Sequence, residues 1–274
     1  MPTPATPPAV PLAHEVVGSG PLLVLLAGTG YAGATWGDPL VATLAERFTV
    51  VTFDYRGTGA TPGTDDDYST RLFATDVADL IGGLGRGPAH VLGHSMGGRV
   101  AQWVALDSPD RVASLVLAAS GPGEYRPGHE PTTGIPLATA LALAEKGFER
   151  MIADQIRSTF FTPEFNAASP AVVDALIAAF LDHRPSLRDY LKHVVARQGH
   201  RTVERLADLA CRTLVIVGDR DTHVGGTGSH LDQSRYLAAH VPGATLEIVP
   251  GLAHGLFWQT PQATIAAVTA FLER

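Results

Sequence analysis

The chain has 274 residues, of which 45% are hydrophobic and 17% are charged, and its formal net charge is −7 at pH 7. A chain of this length can form one α/β domain with a large apolar core. The low charge content excludes a disordered tail, and the negative balance gives no basic surface for nucleic acid. A single cysteine, Cys211, excludes an intramolecular disulfide and a cysteine-rich metal site.

The first eight residues are rich in proline and contain no basic region followed by an apolar stretch, so we predict no secretory signal. No apolar segment approaches the length of a membrane-spanning helix. We therefore expect a soluble, cytoplasmic monomer or homodimer that acts on a small molecule. Neither a cofactor nor a metal is expected, and neither nucleic acid nor a membrane is an expected partner.

Short apolar segments along the chain predict strands, and amphipathic segments between them predict helices. The predicted strands are 14–17, 22–27, 48–53, 89–92, 115–119, 213–217 and 245–249. The helices predicted among them are 40–47, 69–84 and 98–106, and a last helix follows Thr260 as a capping residue and Pro261. This alternation is typical of the α/β class with a mostly parallel, doubly wound sheet that is covered on both faces.

The alternation stops between about residues 121 and 206. Four helical segments without a strand follow a Pro/Gly-rich loop: 137–146, 148–160, 171–181 and 187–198. A helical insertion between two strands of a parallel sheet predicts a lid over the site. We therefore assign residues 1–122 and 206–274 to the core and residues 123–205 to a helical cap.

Several side chains of the predicted cap are candidates for contact with a ligand. Met151, Phe160 and Phe161 are apolar and could line a substrate pocket, although packing between helices explains them equally well. The histidines of this segment are expected on solvated helix faces, so no metal site is expected there. They are His183, His193 and His200.

The segment Gly93-His94-Ser95-Met96-Gly97 has the pattern G-x-S-x-G between a predicted strand and a predicted helix. A serine on such a sharp turn is lifted above the sheet with its hydroxyl exposed. Glycines two residues before and after it are needed because side chains there would collide as strand and helix approach. The pattern predicts a nucleophile elbow with Ser95 as the nucleophile.

A serine hydroxyl needs a base to remove its proton, and that base needs an acid to hold it in the right tautomer. In this architecture serine, acid and histidine follow one another along the chain, each on a loop after a different strand. His254 directly follows the last predicted strand and is the predicted base. Asp219 and Asp221 both follow the preceding strand, so position leaves both open as the acid.

Two backbone N–H groups are needed to bind the negative charge that develops on the attacked carbonyl oxygen. Met96 follows the nucleophile directly at the positive end of its helix, and its N–H is the first candidate. Thr29 lies in the loop after strand 22–27, and its N–H is the second. The sequence thus predicts an oxyanion hole from these two amides.

These segments resemble the α/β-hydrolase superfamily, in the branch with a helical cap. The resemblance rests on 26–30, Asp54-Tyr55-Arg56-Gly57-Thr58-Gly59, the elbow, Gly218-Asp219-Arg220-Asp221 and Gly251-Leu252-Ala253-His254. The first two are similar to aminoacrylate hydrolases and 3-oxoadipate enol-lactonases. The resemblance implies a serine hydrolase that cleaves a small or medium, largely apolar ester or lactone through an acyl-enzyme. One departure is Ala27, where many relatives carry a histidine that braces the oxyanion loop.

The resemblance also favours Asp221 as the acid, because related enzymes place it at the fourth position of Gly218-Asp219-Arg220-Asp221. A physical reason agrees with this choice. Asp219 directly follows the last glycine of the strand, where its side chain can bind nearby backbone N–H groups and shape the turn.

Other functions fit parts of the same pattern. A carbon–carbon bond, thioester or carbamate hydrolase, or a non-hydrolytic biosynthetic enzyme, could use this scaffold. In a different class, residues 28–33 fit G-x-G-x-x-G, and Asp54 ends the next strand as an NAD-binding Rossmann protein requires. Gly37 and Pro39 would break the helix that such a motif needs, so the glycines are better explained by an oxyanion loop.

Overall fold

The computed structural model describes residues 7–129, 133–222 and 228–274. Its strands form one seven-stranded sheet with the order β1-β3-β2-β4-β5-β6-β7. They are β1 (His14–Gly18), β2 (Leu22–Leu26), β3 (Thr49–Phe53), β4 (Ala89–His94), β5 (Val112–Ala118), β6 (Arg212–Gly218) and β7 (Thr245–Val249). Only β1 pairs antiparallel, with β3, and every other neighbouring pair is parallel. The predicted fold class is confirmed.

Helices occupy both faces of the sheet and the long connection between β5 and β6. They are α1 (Asp38–Ala45), α2 (Thr70–Leu84), α3 (Met96–Asp107), α4 (Leu137–Lys146), α5 (Phe148–Gln155), α6 (Pro163–Ala168), α7 (Pro170–Asp182), α8 (Leu187–Gln198), α9 (His230–His240), α10 (Leu256–Gln259) and α11 (Pro261–Leu272). A π-helical turn, Ile156–Phe160, continues α5. No helix in these described ranges is long and apolar enough to cross a membrane.

The central strands are buried on both faces, which explains why they are continuous apolar runs rather than alternating ones. In β2 all five residues are buried. Leu23 and Leu25 pack into the core on the α1 and α11 side, whereas Val24 and Leu26 pack into the core on the α2 and α3 side. A polar residue in this strand would therefore face apolar side chains in either register.

Three helices differ from the predictions: α1 in where it starts, α11 in its capping hydrogen bond, and α6 in being present at all. α1 begins at Asp38, with Pro39 in the first turn, where a missing N–H costs no hydrogen bond. Thr260 stands at the N-cap of α11, but its hydroxyl makes no capping hydrogen bond and has no partner in the described structure. Helix α6 was not predicted, since six residues carry too little periodicity to be recognised.

The expectation that the histidines of the cap segment are solvated is wrong for His193 and His200. Both are buried, whereas His183 is exposed. The ring of His193 donates from Nε2 to the carbonyl oxygen of Arg56 at 3.0 Å, and His200 Nδ1 lies 2.9 Å from the hydroxyl of Thr70. These contacts replace water, so each ring can be buried in its neutral form.

We expect the free energy of unfolding to fall as the pH is lowered from 7 to 5. Burial lowers the pKa of His94 to about 3 and that of His193 to about 4. An unfolded histidine titrates near 6.5, so below that pH the unfolded chain binds more protons and stability is lost, by about 1.4 kcal/mol per pH unit for each ring. Urea unfolding at pH 7, 6 and 5 measures this slope.

The variant His193→Gln should show a shallower dependence on pH than the wild type, because it removes one of these groups. His183→Gln is the matched control, since this exposed histidine lies in the same helical segment. Equal slopes in the two variants would contradict the assignment of the acid sensitivity to the buried ring.

Candidate active site

The nucleophile elbow is a one-residue turn between β4 and α3. Ser95 has φ 58° and ψ −118°, a left-handed backbone that side chains rarely adopt. The conformation is fixed from both sides, because its N–H donates to Ala118 O at 2.9 Å and its carbonyl accepts from the Ser120 hydroxyl at 2.8 Å. Strained backbone of this kind persists where the surroundings determine it, typically at functional sites.

The two glycines of the elbow are required by close packing. A Cβ on Gly97 would lie 2.0 Å from the carbonyl oxygen of Leu26 in β2. A Cβ on Gly93 would lie 2.3 Å from the carbonyl oxygen of Gly97. Both distances are far below contact distance, so no side chain fits where strand, turn and helix meet.

His254 lies in the loop between β7 and α10, and Asp221 lies in the loop after β6. His254 Nδ1 donates to Asp221 Oδ2 at 2.8 Å, and both side chains are buried. Burial alone would raise the pKa of Asp221, but the imidazoles of His254 and His230 outweigh it and hold this pKa well below its usual value. The structure therefore pairs an ionised carboxylate with the predicted base.

Asp219 has a different contact. Its Oδ1 accepts a hydrogen bond from the backbone N–H of Gly251 at 2.7 Å, and its own N–H donates to Val249 O at 3.1 Å. These bonds join the loop after β6 to the loop after β7. The carboxylate of Asp219 thus shapes the turn on which His254 is carried, while Asp221 contacts the imidazole.

A second histidine, which sequence reasoning missed, shares the same carboxylate. His230, the first residue of α9, lies with Nδ1 3.2 Å from Asp221 Oδ1, and its ring centroid is 4.4 Å from that of His254. Burial lowers the pKa of His230, so its ring is neutral at pH 7. The ligand atoms of Asp221, His230 and His254 lie within 4.8 Å of one another, which makes them the residues that could hold a cation.

His94, inside the elbow, contacts the loop between β7 and α10 that carries His254. Its Nε2 donates to the carbonyl oxygen of His254 at 2.9 Å, and its ring packs against Trp36, Phe160 and Trp258. Burial lowers its pKa to about 3, so the ring stays neutral and cannot act as a second base near pH 7. Its position between Gly93 and Ser95 was the only sequence signal for this role.

The loop after β2 lies beside the elbow. A Cβ on Gly28 would be 3.5 Å from the Cβ of Ser95, and both Gly28 and Thr29 line the cavity above it. Met96 is the first residue of α3, where backbone N–H groups have no acceptor inside the helix. The two predicted oxyanion donors therefore belong to segments that border Ser95.

Asp54, the acidic residue that the nucleotide-binding alternative needs, is already engaged in hydrogen bonds to the backbone. Asp54 Oδ1 accepts from the N–H of Gly33 at 2.8 Å, and Oδ2 accepts from the N–H of Ala60 at 2.8 Å. A ribose-binding carboxylate would need free oxygens. The glycines at 28–33 also lead into a short 3-10 turn, Gly33–Trp36, rather than into a long helix.

A cavity of about 520 Å³ lies over these groups, and both Ser95 and His254 line it. In the described residues no hydrogen bond joins the Ser95 hydroxyl to His254, and such contacts commonly tighten only when substrate binds. From the segment between β5 and β6, Met151 and Phe160 reach the cavity. Phe161 does not, because its ring stacks on Phe165 with centroids 5.2 Å apart.

Comparison with known proteins agrees with this architecture. The model of the alpha/beta hydrolase family matches residues 23–268. A protein of Caulobacter sp. (strain K31) named "Putative carbamate hydrolase RutD" is 33% identical over 269 residues, which cover 95% of each chain. The chain therefore belongs to the alpha/beta hydrolase family and is a hydrolase.

Solved structures show the same fold. A hydrolase from Pseudomonas aeruginosa PA01 is 27% identical, with a TM-score of 0.80 and coverage of 96% of this chain and 94% of that one. The enol-lactonase from Burkholderia xenovorans LB400 is 22% identical, with a TM-score of 0.82 and coverage of 96% of both chains. The predicted resemblance to the α/β-hydrolase superfamily, in a branch similar to aminoacrylate hydrolases and enol-lactonases, is confirmed.

Proposed function

We propose that this hydrolase uses Ser95, His254 and Asp221 as a catalytic triad that cleaves an ester or lactone through an acyl-enzyme. The observation that carries the proposal is the 2.8 Å hydrogen bond from His254 Nδ1 to Asp221, in a cavity that also contains the strained Ser95. A hydroxyl on an elbow needs such a base to become nucleophilic at neutral pH. The hydroxyl of Ser95 and the imidazole of His254, the nucleophile and the base in this proposal, belong to residues that line one cavity.

The proton path follows from the tautomer. Because the Asp221 carboxylate can only accept, His254 Nδ1 carries a proton and Nε2 is left free to receive one from the Ser95 hydroxyl. The Ser95 oxygen then bonds to the substrate carbonyl carbon, and His254 returns the proton to the leaving group. In the second half, His254 takes a proton from water, whose oxygen bonds to the acyl carbon. The bond between that carbon and Ser95 Oγ then breaks, and His254 returns the proton to Ser95 Oγ.

The oxyanion of each tetrahedral intermediate is assigned to the backbone N–H groups of Met96 and Thr29. Removal of one such donor commonly lowers turnover by about 10²- to 10³-fold. Ala27 does not brace this loop as a histidine would. Instead Tyr190 from α8 closes over it, since a Cβ on Gly30 would lie 2.8 Å from the Tyr190 ring.

Residues 123–205 are proposed to act as the cap that selects the substrate. The loop that carries His254 is hydrogen-bonded to this segment. The N–H of Gly255 donates to Phe160 O at 2.7 Å, and the N–H of His254 donates to Thr159 O at 3.3 Å. Met151 and Phe160 contribute to the cavity wall from the same segment. The cap would thus contact substrate without supplying a member of the triad.

A carbamate is the second candidate substrate. It is favoured by the name of the 33% identical Caulobacter protein, which the chain matches over 95% of both lengths. Ester, lactone and carbamate share a carbonyl carbon that a serine can attack, so the proposed residues have the same roles in each case.

Active-site labelling tests the mechanism. We expect a neutral alkyl fluorophosphonate to modify the wild-type protein once, on the peptide that contains Ser95, as measured by mass spectrometry after digestion. The label should be absent from Ser95→Ala, and turnover of a 4-nitrophenyl ester should persist in the presence of a chelator. A label on another residue, or loss of turnover with the chelator, would contradict the proposal.

A further inference from the structure

Arg99 is a buried cation in the wall of the proposed catalytic cavity. It lies four residues after Ser95 on α3, its exposed fraction is 4%, and its side chain lines the cavity. Its Nη1 donates to the carbonyl oxygen of Arg197 at 2.7 Å, and its Nη2 donates to Gln233 Oε1 at 3.3 Å. Both acceptors are neutral, so neither balances the charge.

Arg197, on α8, brings a second guanidinium to the same wall. Within the described ranges no carboxylate lies within 4.0 Å of Arg99 or Arg197. The carboxylate found among the described lining residues, Asp154, is already bound by Lys146 at 2.8 Å and by Arg150 at 3.0 Å.

Another buried arginine of this chain shows the usual arrangement. Arg56 is fully buried, and its Nη2 donates to Asp76 Oδ1 at 2.6 Å while its Nε donates to Asp76 Oδ2 at 2.8 Å. Buried charges are normally paired in this way, since an unpaired one is costly. Among the described residues, Arg99 and Arg197 have no carboxylate partner of the kind that Asp76 provides for Arg56.

The charge of Arg99 is retained at neutral pH. Burial, together with the neighbouring Arg197, lowers the pKa of Arg99 to about 9, and burial also lowers the pKa of Arg197. Arg99 therefore stays protonated at pH 7. The lining of the cavity, which also includes the apolar residues Met151 and Phe160, carries positive charge in a protein whose net charge is −7.

We propose that Arg99 and Arg197 bind a carboxylate of the substrate while Ser95 attacks its ester or lactone carbonyl. This inference rests on the proposed function and narrows it to anionic substrates. Ser95 and Arg99 are separated by one helical turn, about 6 Å along the axis of α3, which suits a short substrate. Two guanidinium groups offer planar, paired donors that match a carboxylate. The sequence expectation of a largely apolar substrate is modified accordingly.

Matched substrates test this inference. The first pair is 4-nitrophenyl hydrogen adipate and 4-nitrophenyl methyl adipate, which differ only in a carboxylate on the acyl chain. The second pair is 3-acetoxybenzoate and its methyl ester, which places the carboxylate on the leaving group. For the wild type we expect kcat/KM of the anionic member to exceed that of the neutral member by about 10- to 100-fold in one of the pairs, as for a charge-assisted hydrogen bond.

The variants Arg99→Gln and Arg197→Gln should each reduce this preference about tenfold or more, through the anionic substrate, while Arg86→Gln should leave it unchanged. Arg86 is the matched control because it is exposed between α2 and β4, at the other end of the sheet from the cavity. If Arg99→Gln does not fold, the less buried Arg197→Gln decides the result. Thermal melting identifies such a failure.

The rate of labelling by the neutral fluorophosphonate separates the two proposals. It should be nearly the same in wild type and in the control Arg86→Gln, and it reports on Ser95 alone because that probe carries no carboxylate. A wild type that is labelled on Ser95 but prefers the neutral member of both pairs would overturn the carboxylate site alone. Equal preference in wild type and both arginine variants would do the same, whereas failure to label Ser95 would overturn the proposed function.

Discussion

Replacement of Ser95 by alanine is expected to lower kcat for a 4-nitrophenyl ester by about 10⁴- to 10⁶-fold. In the proposed mechanism the hydroxyl supplies the oxygen that bonds to the substrate, and no other group in the elbow can replace it. Alanine keeps the non-glycine backbone at φ 58°, so the fold should be retained. Steady-state kinetics, with melting temperature as the measure of folding, checks the result.

Ser108→Ala is a suitable control for this experiment. Ser108 lies at the opposite end of α3 and makes no capping hydrogen bond with its side chain. Its variant should keep wild-type turnover. Residual activity of Ser95→Ala within tenfold of the wild type would show that another residue, or water, is the nucleophile.

The variant Asp221→Asn is expected to lower turnover by about 10³- to 10⁴-fold. In the proposed mechanism an imidazolium forms on His254, which an amide cannot stabilise, and the amide can present N–H rather than oxygen to Nδ1. The pKa of the buried Asp221 is held well below its usual value, so the carboxylate is charged throughout the working pH range. Measured kcat for the wild type and the variant, at equal folded fraction, gives the ratio.

Asp219→Asn is the matched control, two residues away on the same loop. An asparagine at position 219 keeps an oxygen that can accept from the Gly251 N–H, which is the contact made by Asp219 Oδ1. Its loss should be no more than about tenfold. A larger loss for Asp219→Asn than for Asp221→Asn would reverse the assignment of the acid.

The sheet was predictable from sequence because its central strands are buried on both faces. A short apolar run such as Leu22–Leu26, with glycines on both sides at Gly20 and Gly28, is typical of a buried strand. The predicted helix 69–84 was also correct, and Ser69 caps it, since its hydroxyl accepts from the Leu72 N–H at 3.0 Å. Thr260 has the same type of side chain, but its hydroxyl makes no such bond. The residue type at a helix start indicates a possible cap, and tertiary packing determines whether the capping hydrogen bond forms.

Some residues of the candidate site were predictable from the sequence and others were not. Ser95, His254 and Asp221 each follow a strand, so their order along the chain brought them to one edge of the sheet. His230, Arg99 and Arg197 had no such signal, since their places depend on how α9, α3 and α8 pack around the cavity. For Phe161 the sequence could not distinguish a cavity wall from the stack it forms with Phe165.

The backbone of Ser95 has a consequence for the stability of the whole protein. A side chain in a left-handed conformation costs on the order of 1–3 kcal/mol, a sizeable part of the net stability of a typical domain. The hydrogen bonds from Ser95 to Ala118 and from Ser120 to Ser95 are what hold it there. The enzyme is therefore kept below the stability that its own architecture could reach, and selection for stability alone would remove the proposed nucleophile.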